Sequence, residues 1–176
     1  MIRHQPSFVI MGVAGCGKSS LGAAVARQIG FSLVEGDDHH SQESLSKMRQ
    51  GIALTDSDRD GWLTVLAKVL QDQPDGLVLT CSALKRMYRD RLREAVAGLR
   101  FVFLDISHKQ ALARVTERAA AHFFCASLVD SQFATLESPI GEAGVLRVNA
   151  AMPLVQLQGQ VCAWLAVDKV ALKVPA

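Results

Sequence analysis

The chain lacks the signatures of a disulfide-stapled or zinc-built fold. Its four cysteines, Cys16, Cys81, Cys125 and Cys162, are scattered, with no C-x-x-C pair and no histidine at zinc-ligand spacing. Free thiols in a reducing cytoplasm are the expectation. No apolar run approaches the length needed to span a bilayer, and residues 1–6 lead into the first apolar run without a hydrophobic signal core, so no membrane partner is expected. Strong charge of either sign is also missing. With 19 Lys and Arg against 17 Asp and Glu, the formal net charge of +2 is too small to argue for nucleic acid. Aromatic residues make up only 6%, which leaves the interior to Ala, Val and Leu. No internal repeat or low-complexity linker interrupts the 176 residues, a length that suits one domain, 1–176, with its own core.

What is present begins at Gly12-Val13-Ala14-Gly15-Cys16-Gly17-Lys18-Ser19, a phosphate-binding loop with every fixed position filled. It follows directly on the apolar run Phe8-Val9-Ile10-Met11, and Ser20 continues into a helix-compatible segment. In such a loop backbone N–H groups turn inward around the β-phosphate, and a Cβ on the glycines would block the turn or the approach. Lys18 supplies a charge that bridges the β- and γ-phosphates, Ser19 a hydroxyl suited to Mg²⁺, and the following helix a favourable dipole. The expected ATP site is therefore residues 12–20.

Further apolar, β-rich runs at 31–34, 77–80, 101–104 and 145–148 alternate with helix-compatible stretches. That alternation implies right-handed crossovers and a parallel sheet covered on both faces, an α/β fold of three layers, α/β/α, around five parallel strands. Ligands of such sheets bind beyond the carboxyl ends of the strands. The rule singles out Gly36-Asp37-Asp38-His39-His40, Cys81-Ser82-Ala83-Leu84-Lys85 and Asp105-Ile106-Ser107.

Phosphoryl transfer needs charge neutralisation, a metal and a group that orients the acceptor hydroxyl. Asp37 suits the last role: it can accept or hold the hydroxyl proton while touching the Mg²⁺ water shell. A turn or N-cap aspartate is the structural alternative, and it is the reading that suits Asp38. Thr55 or Asp56 caps the next helix, with Asp58 and Asp60 favouring its N-terminal dipole. Arg59 either points into the cleft as a substrate clamp or lies on a solvated face. Lys85, Arg89 and Arg93 recur at fourfold spacing and share a helix face, which is expected to present positive charge to an anionic acceptor. Arg86 and Arg91 lie off that face. Arg114 and Arg118, with His122-Phe123-Phe124, read as a mobile lid over residues 114–135 that brings arginines to the triphosphate and excludes water.

Taken in order, these segments resemble the bacterial-type gluconokinases, phosphate-loop sugar-acid kinases related in fold to the shikimate and nucleoside monophosphate kinases. The likeness rests on residues 11–19, Gly36-Asp37 with His40, Lys47-Met48 with Gly51, Leu54, Asp56, Asp58-Arg59 and Trp62-Leu63. It continues through residues 81–85, Tyr88-Arg89-Asp90, Leu92-Arg93, His122-Phe123, Leu128-Val129, Ser131-Gln132-Phe133, Leu136-Glu137 and Pro139. The resemblance implies transfer of the γ-phosphoryl of ATP to the 6-hydroxyl of D-gluconate, with Mg²⁺ at Ser19 and Asp37, in a homodimer. It implies catalysis by Lys18, Asp37 and Arg118, and nucleotide contacts from Gly12, Val13, Ala14, Gly15, Cys16, Gly17, Lys18, Ser19, Ser20, Arg114 and Arg118. The implied acceptor contacts are Asp37, His40, Lys47, Arg59, Ser82, Lys85, Arg89, Arg93, His122 and Gln132, drawn from a helical region over residues 38–72, the 82–93 segment and the lid. A small polyol acid fits such a set, since its carboxylate needs a cationic clamp.

Three departures from the family pattern stand out. Ser44 replaces an asparagine, Ala119-Ala120-Ala121 precede His122 where the family has Arg-x-Gly, and Asn149 and Ala151 replace acids. Either Arg118 acts from one position earlier or the lid has lost a cationic finger. Two competing readings follow: a kinase of another small acceptor, such as shikimate or a different sugar acid, and a catalytically weakened nucleotide-binding protein.

Overall fold

The computed structural model describes residues 7–119 and 126–171. Strands β1 (Phe8–Met11), β2 (Ser32–Glu35), β3 (Leu77–Thr80), β4 (Arg100–Asp105) and β5 (Val145–Asn149) form one parallel sheet in the order β2-β3-β1-β4-β5. Helices α1 (Lys18–Ile29), α2 (Gln42–Arg49), α3 (Asp56–Gln71), α4 (Arg86–Ala95), α5 (His108–Ala119), α6 (Ala126–Thr135) and α7 (Leu154–Ala171) connect and flank the strands. Every residue of β1 and β3 is buried, as expected of parallel strands covered on both sides. Phe8 stands opposite Val78 on one side and Arg100 on the other, which fixes the register of the three central strands.

Alternation along each strand divides the core in two. Phe8, Ile10, Val78, Val102 and Leu104 pack with Leu21 and Val25 of α1, Ala111 and Val115 of α5, and Leu157 and Val161 of α7. Val9, Met11, Leu79, Phe101 and Phe103 face Trp62, Leu63 and Leu66 of α3 and Tyr88 and Leu92 of α4. The three-layer arrangement read from the sequence is the one observed.

Strand limits differ slightly from the apolar runs. β2 starts one residue after Phe31, because the Phe31 N–H donates to the Ala26 carbonyl and closes the end of α1 beside Gly30. It therefore ends on a carboxylate, Glu35. Thr55, not Asp56, caps α3: its hydroxyl accepts from the Asp58 N–H at 3.2 Å while the Asp58 carboxylate accepts from the Thr55 N–H at 2.8 Å. The sheet order leaves β1 between β3 and β4, so the loop after β1 opens at the switch point of the sheet.

Candidate active site

The phosphate loop is held open by its own backbone. Gly12 has φ 143°, and a Cβ there would meet Cys16 Sγ at 2.8 Å and the Leu104 carbonyl oxygen at 2.9 Å. Gly17 precedes α1 in a left-handed conformation, and no side chain caps that helix, so the first-turn N–H groups stay available to an anion. Lys18 lies across the loop, donating to the Gly12 and Val13 carbonyls at 3.1 Å each. Val13 and Cys16 are buried beneath it, and burial pushes the Cys16 thiol up despite the nearby Lys18. Arg114 braces the outer side, donating to the Gly15 and Cys16 carbonyls at 3.4 Å and to the Ala150 carbonyl at 2.8 Å.

A cleft of about 260 Å³ rises from the loop. Ala14, Gly15, Gly17, Lys18, Ser19 and Ser20 line one end, Asp37, His40, Arg59 and Ser82 the other, with Arg118 and Gln132 closing it from α5 and α6. Gln132 Oε1 accepts from the Ala14 N–H at 2.6 Å, which ties α6 to the phosphate loop. Asp37 sits in a short 3-10 turn, Gly36–His39, with its carboxylate exposed and 3.7 Å from His40 Nε2. Desolvation pushes that carboxyl up, but the His40 contact and the Lys18 charge prevail and hold it below its ordinary value. The His40 ring stacks on Trp62 at 4.3 Å, and its buried Nδ1 has no hydrogen-bond partner. Trp62 in turn donates from Nε1 to the Gly36 carbonyl at 2.7 Å. Gly36 must be glycine, since a Cβ there would overlap the Thr80 carbonyl oxygen.

Arg59 is the cation of the acceptor end. Only 8% exposed, it donates to the Leu54 carbonyl at 2.5 Å and lies 5.8 Å from the Tyr88 ring centre. No carboxylate stands within ion-pair distance of it among the described residues. A buried guanidinium without an acid is poised for an anionic ligand.

Glu35 is a site residue that sequence reading missed. Its Oε2 accepts from Ser19 Oγ at 3.0 Å and from Thr80 Oγ1 at 2.5 Å, beside the first turn of α1. Its signal is an acid at the last position of a parallel strand, one residue beyond the apolar run that ends at Val34. The Ser19, Glu35 and Thr80 oxygens, with the exposed Asp37 carboxylate in the same cleft, form a hard donor set of the kind that suits Mg²⁺. Among the described residues no group of three His, Cys, Asp or Glu is arranged to cage a metal.

The structure corrects the reading of the basic helix. Arg89 is fully buried: Nη1 donates to the Ala83 and Leu84 carbonyls at 2.8 and 3.0 Å, and Nη2 meets Glu142 Oε1 at 2.5 Å. Arg93 pairs with Glu142 and Asp90, both at 2.8 Å. Fourfold spacing does put these side chains on one face, but that face turns toward the 83–84 turn and the segment around Glu142, away from the cleft. Their role is to brace the turn after β3, where Ala83 has a left-handed φ of 45° and Ser82 enters the cleft. Lys85 is bound to both oxygens of Asp56, at 2.8 and 2.7 Å, and Lys47 to Asp58 at 2.6 Å and Glu43 at 3.3 Å. Neither lysine lines the cleft. Ser44 is buried at the start of α2, bonded to Ser41. His122 and Ala120-Ala121 lie outside the described residues.

Comparison with known proteins agrees with this geometry. A family model described as shikimate kinase matches residues 14–126. A probable gluconokinase of Schizosaccharomyces pombe is 42% identical over 144 residues, spanning 77% of this chain and 74% of the relative. The gluconokinase of Gluconobacter oxydans is 42% identical over 149 residues, spanning 82% and 83%. The chain belongs to the gluconokinase family. A crystal structure of a gluconokinase from Sinorhizobium meliloti 1021 superposes with a TM-score of 0.88 at 41% identity, covering 98% of this chain and 99% of that one. An adenylylsulfate (APS) kinase of Mycobacterium tuberculosis, at 20% identity and a TM-score of 0.67, shares the fold. As a gluconokinase-family protein the chain is a phosphotransferase, and neither a different acceptor nor a weakened nucleotide binder is favoured. Among the described residues no helix is long and apolar enough to cross a membrane.

Proposed function

We propose that the protein transfers the γ-phosphoryl of ATP to the 6-hydroxyl of D-gluconate, giving 6-phospho-D-gluconate, as a cytoplasmic homodimer. The observation that carries this reading is the pairing, in one cleft, of a phosphate loop with Arg59, a buried cation with no acid at ion-pair distance among the described residues. Gluconate offers a carboxylate at one end and the reacting hydroxyl at the other, and the cleft offers Arg59 and Asp37 to match.

Each residue then has a task. The loop N–H groups and Lys18 hold the β- and γ-phosphates, and Arg118 neutralises charge on the transferred group. Ser19 would hold Mg²⁺, with Asp37, Glu35 and Thr80 available to its water shell, and the ion would supply charge neutralisation to the phosphates. Asp37, a carboxylate at neutral pH, orients the acceptor hydroxyl and takes its proton as the bond to phosphorus forms and the bond to the ADP oxygen breaks. His40 and Ser82 face the polyol chain. Gln132 acts through the Ala14 amide, and Val115, Arg118, Leu128 and Ser131 of α5 and α6, which line the cleft, serve as the lid side that excludes water.

A coupled ADP-release assay over gluconate, shikimate, nucleoside monophosphates and other sugar acids tests the reading. Turnover of another acceptor with none on gluconate would overturn it, and light scattering tests the dimer. Asp37→Asn is expected to lower kcat by roughly 10²–10⁴ with KM for ATP little changed. A defect in nucleotide affinity alone would remove Asp37 from the proton's path.

A further inference from the structure

Helix α3 opens with Asp56-Ser57-Asp58-Arg59-Asp60, three acids around one arginine, and none of them pairs with it. Each acid is taken by a cation from elsewhere in the chain. Lys47 of α2 holds Asp58 at 2.6 Å, Arg91 of α4 holds Asp60, and Lys85, just before α4, holds both oxygens of Asp56. Tyr88 adds a hydroxyl to the same Asp56 oxygen that Lys85 meets at 2.8 Å.

Asp56 is the acid that matters most. It lies three residues before Arg59, so the two share a helix face and are natural ion-pair partners. The Arg59 charge already acts on the Asp56 carboxyl, lowering it after the larger effects of the Lys85 and Tyr88 hydrogen bonds. Arg59 and the Lys85 ammonium both lie 5.8 Å from the Tyr88 ring centre. Without Lys85, the Asp56 carboxylate would keep one hydroxyl donor and an uncompensated charge beside a buried guanidinium.

We propose that Lys85 sets selectivity for an acidic acceptor by masking Asp56, which keeps Arg59 free for the acceptor's carboxylate. Lys85 is thus a positioning residue that acts through Arg59. This deepens the gluconate reading and rests on it. An internal carboxylate three residues away would compete with the substrate for the same guanidinium, and the lysine removes that competitor.

Steady-state kinetics on Lys85→Met, Lys85→Arg, Asp56→Asn and the double variant Lys85→Met/Asp56→Asn test it, with D-gluconate and its neutral amide as acceptors. Lys85→Met is expected to raise KM for gluconate about fivefold or more, with KM for ATP unchanged and preference for gluconate over the amide reduced. Lys85→Arg keeps the mask and stays within about threefold of the parent. The decisive arm is the double variant: removing the charge of Asp56 restores KM and the preference for gluconate. A lysine that touched substrate directly, or merely held α4 to α3, would give a double variant no better than Lys85→Met, and that result overturns the proposal. Unchanged KM in Lys85→Met overturns it too. The parent protein serves as the separate check on the activity. If it ignores gluconate but phosphorylates another carboxylate-bearing acceptor, the same series is read with that acceptor; if it prefers neutral acceptors, both readings fall.

Discussion

Arg59 and Arg89 are both buried, and their surroundings give them opposite meanings. Arg89 meets Glu142 and two backbone carbonyls, so its donors are satisfied and its charge is balanced inside the protein. Arg59 has one backbone carbonyl and an aromatic ring, and its nearest acids are engaged by other cations. A buried cation with its own carboxylate is part of the frame, whereas one without is an invitation to an anion. The contrast is invisible to residue spacing, which ranks both as basic residues near the same cleft.

The comparison can be broken most forcefully at Arg89. Arg89→Met leaves Glu142 to Arg93 alone and strips the Ala83 and Leu84 carbonyls of their donor, and should cost about 3 kcal/mol of stability, read from urea denaturation of the purified variant. Arg59→Met should do the reverse: little change in stability, but KM for gluconate raised by roughly 10–100-fold, read in the ADP-release assay. Interchanged outcomes would exchange the roles of the two arginines.

A smaller effect comes from an intermediate case, the half-exposed Lys47–Asp58 pair. Hydrogen bonds from Lys47 and Thr55 hold the Asp58 carboxyl at about 2 against an ordinary value of 3.8. Because the folded-state value is depressed, this contribution is fully present above the ordinary value and fades as pH falls toward about 2. Thermal unfolding measured between pH 5 and 2 should therefore decline less steeply for Asp58→Asn than for the parent. Equal slopes would show that the pair contributes nothing.

The phosphate loop, the strand sequence and the placement of Asp37 and Ser82 at the cleft are legible because each depends on local pattern plus one topological rule, whereas spacing leaves Arg59 open between the cleft and a solvated face. Apolar runs mark buried strands, and ligands gather where those strands end. The ion pairs of Arg89, Arg93, Lys47 and Lys85 are not legible in the sequence, because their partners, Glu142, Asp58 and Asp56, are set by tertiary contacts. Periodicity says which residues share a helix face and not what that face meets. Glu35 escaped for a smaller reason: a strand shifted by one residue turns its last position from a loop acid into a neighbour of Ser19.

The contact between Gly36 and the Thr80 carbonyl reaches beyond sterics. The Gly36 carbonyl receives the Trp62 indole, and Trp62 carries the stacked His40 ring, so helix α3 is keyed to the end of the sheet through one peptide unit. Swinging α3 would break that bond and part His40 from Trp62. Breathing of the cleft must therefore come from its other walls, α2, α5 and α6, while Arg59 stays a fixed landmark against which an arriving molecule is measured.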